Sequence, residues 1–140
     1  MSQNIIVDTS VIVKWLNRDN EAHTEQADRI LKDVELNKIT LVAPELAKYE
    51  VGNVLLLGKH LSPAQAKTIL VLFYKLPISF IEDSAALSEQ AYTLAAKAGV
   101  TYYDASFLAL AQQLDGTLIT DNIKHQGKPQ GIRVKAVEDY

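Results

Sequence analysis

The fold is first indicated by residues 4–11, which read Asn4-Ile5-Ile6-Val7-Asp8-Thr9-Ser10-Val11. Three consecutive branched apolar residues predict a short buried strand, Ile5 to Val7, and the polar residues after them predict a turn. A helix-like run from Val11 to Leu16 follows directly. A strand, a short turn and a helix in this order are typical of a parallel α/β fold.

The rest of the chain repeats this alternation. Short runs rich in β-branched residues predict further strands at Thr40 to Val42, Ile78 to Ile81, Thr117 to Ile119 and Ile132 to Val134. Longer helical patterns lie between them, at Glu21 to Leu36, Pro44 to His60, Pro63 to Lys75, Ser84 to Ala98 and Asp104 to Leu114. We therefore expect one domain over residues 1–140, with a mainly parallel sheet covered by helices.

The composition excludes several classes of function. The chain has no cysteine, so disulfides, thiolate zinc sites and a cysteine nucleophile are excluded. The sequence shows neither a signal-peptide pattern nor an apolar run of the roughly 20 residues that a membrane helix needs, and we expect a cytoplasmic protein. A formal net charge of -3 disfavours a passive nucleic-acid binder, because such modules are usually basic.

Glu50 is the most informative acidic residue, because it lies within an otherwise apolar helical face. Four residues share that face by their spacing: Leu46, Ala47, Val54 and Leu57. A carboxylate on a buried face is unfavourable unless it meets a cation or strong hydrogen bonds. Glu50 is too far inside the predicted helix to cap it, so it indicates a functional site.

Three further acids occupy comparable positions. Asp104 precedes an inward-facing run of apolar residues, and Asp8 and Asp121 each directly follow a predicted strand. Sites in parallel sheets gather beyond the carboxyl ends of the strands. Taken singly, Asp104 is as well explained as a helix-start acid, and the other two are better explained as caps or turns. The functional interpretation depends on the set of four.

Four acids in one pocket would repel one another strongly unless cations occupied the pocket. Oxygen ligands favour Mg²⁺, with Mn²⁺ as an alternative, over zinc, and the three histidines lack the close spacing of a zinc helix. Such a site suits phosphodiester hydrolysis, because the metal generates the nucleophile and neutralises developing charge. We expect four catalytic metal ligands: Asp8, Glu50, Asp104 and Asp121.

Five motifs carry a resemblance to a known family. They are Ile5-Ile6-Val7-Asp8-Thr9-Ser10-Val11, Pro44-Glu45-Leu46, Tyr49-Glu50-Val51-Gly52-Asn53-Val54, Tyr103-Asp104-Ala105 and Leu118-Ile119-Thr120-Asp121-Asn122. In this order and spacing they resemble PIN-domain nucleases of the VapC toxin type, over nearly the whole chain. The resemblance implies a three-layer α/β/α fold, a Mg²⁺-dependent endoribonuclease acting on RNA, a cognate antitoxin and a homodimer.

The resemblance also assigns roles by position. Three acids match the first three acids of the family: Asp8, Glu50 and Asp104. Nearby hydroxyl groups that would orient ligands or water belong to Thr9, Ser10 and Thr120. Many relatives place the fourth acid two residues after the threonine, where this chain has Asn122. We therefore favour Asp121 as the fourth ligand, with Asn122 as its substitute or supporting neighbour, and one metal over two.

Two other functions remain as alternatives. A Mg²⁺-dependent phosphatase would use Asp8 as a covalent nucleophile, but the haloacid-dehalogenase pattern requires a second aspartate where this chain has Ser10. A non-catalytic PIN-like module for binding or assembly is the stronger rival, because Asn122 weakens the fourth-ligand position.

Aromatic and basic residues give weaker signals. Tyr102 and Tyr103 suit stacking on an unpaired base, but packing is the more common role of aromatic residues at a helix start. Six basic residues would either hold phosphates or form ordinary solvated surface, and we favour surface: Lys14, Arg18, Lys124, His125, Lys128 and Arg133.

Overall fold

The computed structural model describes residues 2–126, 129 and 131–140. Within them, five strands form one sheet: β1 (Gln3–Val7), β2 (Ile39–Pro44), β3 (Ile78–Ile81), β4 (Thr117–Thr120) and β5 (Arg133–Ala136). Their order across the sheet is β3-β2-β1-β4-β5, and every neighbouring pair is parallel. The parallel sheet predicted from the sequence is confirmed.

Seven α-helices flank the sheet in the described part of the chain. They are α1 (Thr9–Leu16), α2 (Thr24–Glu35), α3 (Leu46–Asn53), α4 (Pro63–Lys75), α5 (Ala85–Ala98), α6 (Tyr102–Gln113) and α7 (Ile123–Gln126). This arrangement is the predicted α/β/α sandwich. None of these helices has both the length and the apolar character required to cross a bilayer.

The helix predicted from Pro44 to His60 is divided. Its first part is α3, and a π-helical segment, Val54–Gly58, continues it. The buried face runs through Ala47, Val51 and Leu55, whereas Leu57, which was predicted to face inward, is 62% exposed. The prediction at Leu57 is wrong because Leu57 lies in the π-helical segment, where the wider turn departs from the roughly 3.6-residue spacing that placed it on the buried face.

The connection order creates a crevice at the centre of the sheet. The chain leaves β1 for β2 and β3 on one side, and later returns to β4 and β5 on the other. Val7 pairs in register with Ile119, and the Asp8 N–H donates to the Ile119 carbonyl at 3.0 Å. The segments that follow β1 and β4 therefore emerge side by side at the point where the strand order reverses, which is the usual position of a site in such a sheet.

Candidate active site

A cavity of about 350 Å³ at this crevice brings together three of the four predicted acids. It is lined by Asp8, Thr9, Ser10, Glu50, Asn53, Val54, Asp104 and Asn122. The acids come from three elements: the end of β1, helix α3 and the first turn of α6. Asn122 lines the cavity, whereas its neighbour Asp121 does not.

Asp8 is the most buried of these acids, at 7% exposed. Its Oδ2 accepts from the Ser10 N–H at 3.0 Å, which caps α1, and from the Ser10 hydroxyl at 2.6 Å. Its Oδ1 accepts from the Gln126 side-chain amide at 3.1 Å. Asp8 therefore fills the cap role and also lines the cavity. All three donors are neutral, so they orient the carboxylate and leave its charge uncompensated.

Glu50 is half-buried and is held by a neighbouring hydroxyl. The Thr9 hydroxyl donates to Glu50 Oε1 at 2.7 Å. Burial raises the pKa of Glu50 above its ordinary value, the Thr9 hydrogen bond opposes that rise, and the charges of Asp8 and Asp104 add to it. The Glu50 carboxylate is thus oriented but electrostatically unfavourable in its ionised form.

Asp104 lies in the first turn of α6, but another residue caps that helix. The Thr101 hydroxyl accepts from the Asp104 backbone N–H at 3.0 Å. Burial raises the pKa of Asp104 and the charge of Asp8 raises it further, while a hydrogen bond between the Thr101 and Asp104 side chains and the charge of His125 lower it. Thr101 thus provides the cap that the sequence had suggested for Asp104, and Asp104 lines the cavity instead.

Gln126 is a site residue that the sequence analysis missed. It is fully buried, and its Oε1 accepts from the buried Thr120 hydroxyl at 2.5 Å while its amide donates to Asp8. The Thr120 oxygen in turn accepts from the Asn122 N–H at 2.9 Å. A single glutamine in a four-residue helix has no periodic or motif signal, so only the tertiary structure identifies it.

Asp121 takes a different position from the other three acids. Its Oδ2 lies 2.9 Å from the Lys14 ammonium, and its side chain is 39% exposed. Its backbone N–H donates to the Ser10 hydroxyl oxygen at 3.0 Å. Asp121 therefore borders the site through its backbone, while its carboxylate is paired with a lysine outside the cavity.

The residues of the cavity fit a hard divalent cation in their chemistry. Three carboxylates and the side-chain amide oxygens of Asn53 and Asn122 are the kinds of ligand that Mg²⁺ and Mn²⁺ prefer. In the described part of the chain, no salt bridge reaches Asp8, Glu50 or Asp104. Across residues 2–126, 129 and 131–140, no group of three or more His, Asp or Glu side chains forms a ready-made metal site. The three carboxylates therefore line one cavity but do not converge on a single coordination point.

The two tyrosines beside the site are exposed rather than packed. Tyr102 is 40% exposed and Tyr103 is 60% exposed. Tyr103 lines a second cavity with Leu46, Tyr49, Glu50 and Asn53, which adjoins the acidic one through its last two members. Packing, the role favoured from the sequence, is therefore wrong for Tyr103.

One of the six basic residues that were predicted to lie on the surface is buried. Lys14 is 1% exposed, so its assignment to solvated surface is wrong. Arg18 and Arg133 are exposed and form ion pairs with Asp28 and Asp115. Lys124 and His125 are also exposed, and Lys128 lies outside the described residues.

Comparison with known proteins agrees with this architecture. The family model described as PIN domain matches residues 5–128. Ribonuclease VapC3 of Pyrobaculum aerophilum is 32% identical over 122 residues, which cover 83% of this chain and 87% of that protein.

Solved structures give the same result for the fold. The structure of VapBC2 from Rickettsia felis bound to a DNA fragment from their promoter has a TM-score of 0.74 at 17% identity, with 95% of this chain and 98% of that chain covered. A toxin-antitoxin complex from Klebsiella pneumoniae has a TM-score of 0.68 at 20% identity, with 95% and 97% covered. The family model covers β2, β3 and β4, the last part of β1 and all three acids of the cavity. This chain belongs to the PIN-domain family.

Proposed function

We propose that this chain is a metal-dependent endoribonuclease of the VapC type, which hydrolyses phosphodiester bonds of RNA. One observation carries the proposal: Asp8, Glu50 and Asp104, from three separate elements, line a single cavity without a salt bridge in the described residues. A cluster of carboxylates without compensating charges lowers the stability of the fold, so stability does not explain its presence. Such clusters are concentrated at functional sites. The name of the relative, Ribonuclease VapC3, supports RNA as the substrate.

The metal that we propose is Mg²⁺, with Mn²⁺ as a substitute, held by Asp8, Glu50 and Asp104. When bound, such an ion lowers the pKa of a water molecule and neutralises charge on the phosphate. The residues around it fix the ligands. Ser10 and Gln126 orient Asp8, and Thr9 orients Glu50. A fourth oxygen from Asp121 or Asn122 stays a prediction.

We also propose that the chain binds a cognate antitoxin protein and that its oligomeric state is a homodimer. The toxin-antitoxin complex of similar fold supports the first of these. An acidic cavity attracts a lysine or arginine side chain, which is a simple way for a partner to block it. Co-expression with the product of any small neighbouring reading frame, followed by size-exclusion chromatography with light scattering, tests both proposals. A cytoplasmic location stays a prediction from the sequence.

The function is tested by comparing the wild type with the Asp8→Asn, Glu50→Gln double variant. Both proteins are incubated with a panel of structured RNAs in Mg²⁺, in Mn²⁺ and in chelator. We expect cleavage that requires metal and is absent in the variant. If the wild type bound metal but cut no RNA in the panel, a non-catalytic binding module would become the better interpretation.

A further inference from the structure

Lys14 is the most deeply buried charged group outside the cavity. Its side chain is 0% exposed, and its ammonium lies 2.9 Å from Asp121 Oδ2 and 3.1 Å from Glu21 Oε1. It also donates to the Ala22 carbonyl at 2.7 Å. Three oxygen partners match the three N–H bonds of an ammonium, so this buried charge is fully satisfied.

A second lysine extends this arrangement. Lys59 directly follows the π-helical segment, and its ammonium lies 2.6 Å from Glu21 Oε2 and also donates to the Asp19 carbonyl. Glu21 is therefore shared by two ammonium groups. We use the name lysine network for four connected residues: Lys59, Glu21, Lys14 and Asp121. Its two cations and two anions balance, in contrast to the acidic cavity.

The lysine network is joined to the acidic cavity through Ser10. The Asp121 N–H donates to the Ser10 hydroxyl oxygen at 3.0 Å, and that hydroxyl donates to Asp8 Oδ2 at 2.6 Å. The residue after Asp121 lines the cavity. Whether the Asp121 carboxylate points to Lys14 or into the cavity therefore decides how many anions a bound metal meets.

We propose that Lys14 is a positioning residue, which holds the Asp121 carboxylate outside the cavity and fixes the site at three acids. The inference rests on the proposed function. Asp121 is then the partner of Lys14 rather than a metal ligand, and Asn122 stands at the cavity wall. A residue without contact to metal or RNA thus sets the charge and the number of ligands of the site.

The test measures binding of Mn²⁺ to the full chain, by calorimetry and by the electron paramagnetic resonance of free Mn²⁺. Replacing a true ligand, in Asp104→Asn, is expected to weaken binding by more than about tenfold. Asp121→Asn is expected to change it by about twofold or less, because that carboxylate is already paired. Lys14→Met releases Asp121 and is expected to tighten Mn²⁺ binding by about tenfold, because the site gains an anionic ligand. Adding Asp121→Asn to Lys14→Met is expected to return the affinity to near the wild-type value.

Lys59→Met is the matched control, because it removes the other ammonium of the lysine network without touching Asp121. Its Mn²⁺ affinity should equal that of the wild type. Equal losses in Asp121→Asn and Asp104→Asn would overturn the inference while leaving the metal-dependent function intact. Failure of the wild type to bind Mn²⁺ would overturn both.

Lys14→Met removes a buried ion-pair partner, which threatens the folding of this variant. If thermal unfolding shows that this variant is not folded, Asp121→Asn decides alone, since it leaves Lys14 paired with Glu21. Affinity within about twofold of the wild type supports the inference, and a loss matching that of Asp104→Asn refutes it.

Discussion

Two groups of acids, linked to each other through the Ser10 hydroxyl, differ in how their charges are compensated. In the lysine network, Glu21 and Asp121 each meet an ammonium at 2.6–3.1 Å. In the acidic cavity, Asp8 and Glu50 accept from neutral hydroxyl and amide donors. In the described residues, no ammonium or guanidinium pairs with Asp8, Glu50 or Asp104. The lysine network and the lining of the cavity are adjacent in sequence at Asp121 and Asn122.

The difference separates a structural cluster of charges from a functional one. Burying a charge is tolerated when a partner of opposite sign is present, and removing one partner is then strongly destabilising. The lysine network has that balance within the chain itself. The acidic cavity lacks it, so its balance is expected to come from a bound cation, at some expense of stability in the metal-free protein.

The largest expected effect is on cleavage, and it compares one acid from each group. Asp104→Asn should reduce RNA cleavage by roughly a thousandfold or more, because several kcal/mol of charge stabilisation are lost. Asp121→Asn should reduce cleavage far less. Single-turnover rates on one RNA substrate measure both. Comparable losses in the two variants would mean that the two groups of acids form one site.

The second effect is on stability and concerns Lys14. Lys14→Met should lower the free energy of unfolding by about 1–3 kcal/mol, because Asp121 loses its cation, while Glu21 keeps its pair with Lys59 and solvent screens part of the Asp121 charge. Arg18→Met breaks an exposed pair of similar length, 2.8 Å to Asp28, and should lower it by less than about 1 kcal/mol. Urea unfolding measures both variants, and equal losses would contradict the structural role of the lysine network.

A smaller change in stability, a gain rather than a loss, is expected for a variant in the acidic cavity. Glu50→Gln should raise the stability of the metal-free protein by up to about 1 kcal/mol, a value limited by solvent screening at this half-exposed site. The Thr9 hydrogen bond can be retained, because glutamine also offers an acceptor oxygen. Thermal unfolding in chelator measures the change. Destabilisation by this variant would show that Glu50 is already compensated in the metal-free state.

The last expected effect is a dependence of the metal-free stability on pH. Glu50 and Asp104 have raised pKa values in the folded state, so they bind protons more readily when folded than when unfolded. The stabilisation from their protonation is complete below their ordinary values of 4.5 and 3.8, and it is lost as pH rises through the folded values.

The difference in metal-free stability between the Glu50→Gln, Asp104→Asn double variant and the wild type should therefore shift in favour of the variant as pH rises above about 4. Asp121→Asn serves as the control and should show no such shift. Parallel pH profiles for the wild type and the double variant would contradict the electrostatic description of the cavity.

The sequence alone determined the parallel sheet and the three acids of the cavity. Branched apolar runs followed by polar turns identify strands whose backbone must be buried, and β1 and β4 were found in this way. Glu50 was found because the spacing of the apolar residues around it predicted a carboxylate on a buried helix face, where an unpaired charge is energetically unfavourable.

Only the tertiary structure decided the partners of each charged group. Lys14 lies within an apolar run as Glu50 does, yet its ammonium is satisfied by residues 7 and 107 positions away in the chain. Gln126 reaches Asp8 across 118 positions. Periodicity reports which face of an element is apolar, because it is a local property. Pairing of charges depends on distances of a few ångströms between segments that the fold alone brings together.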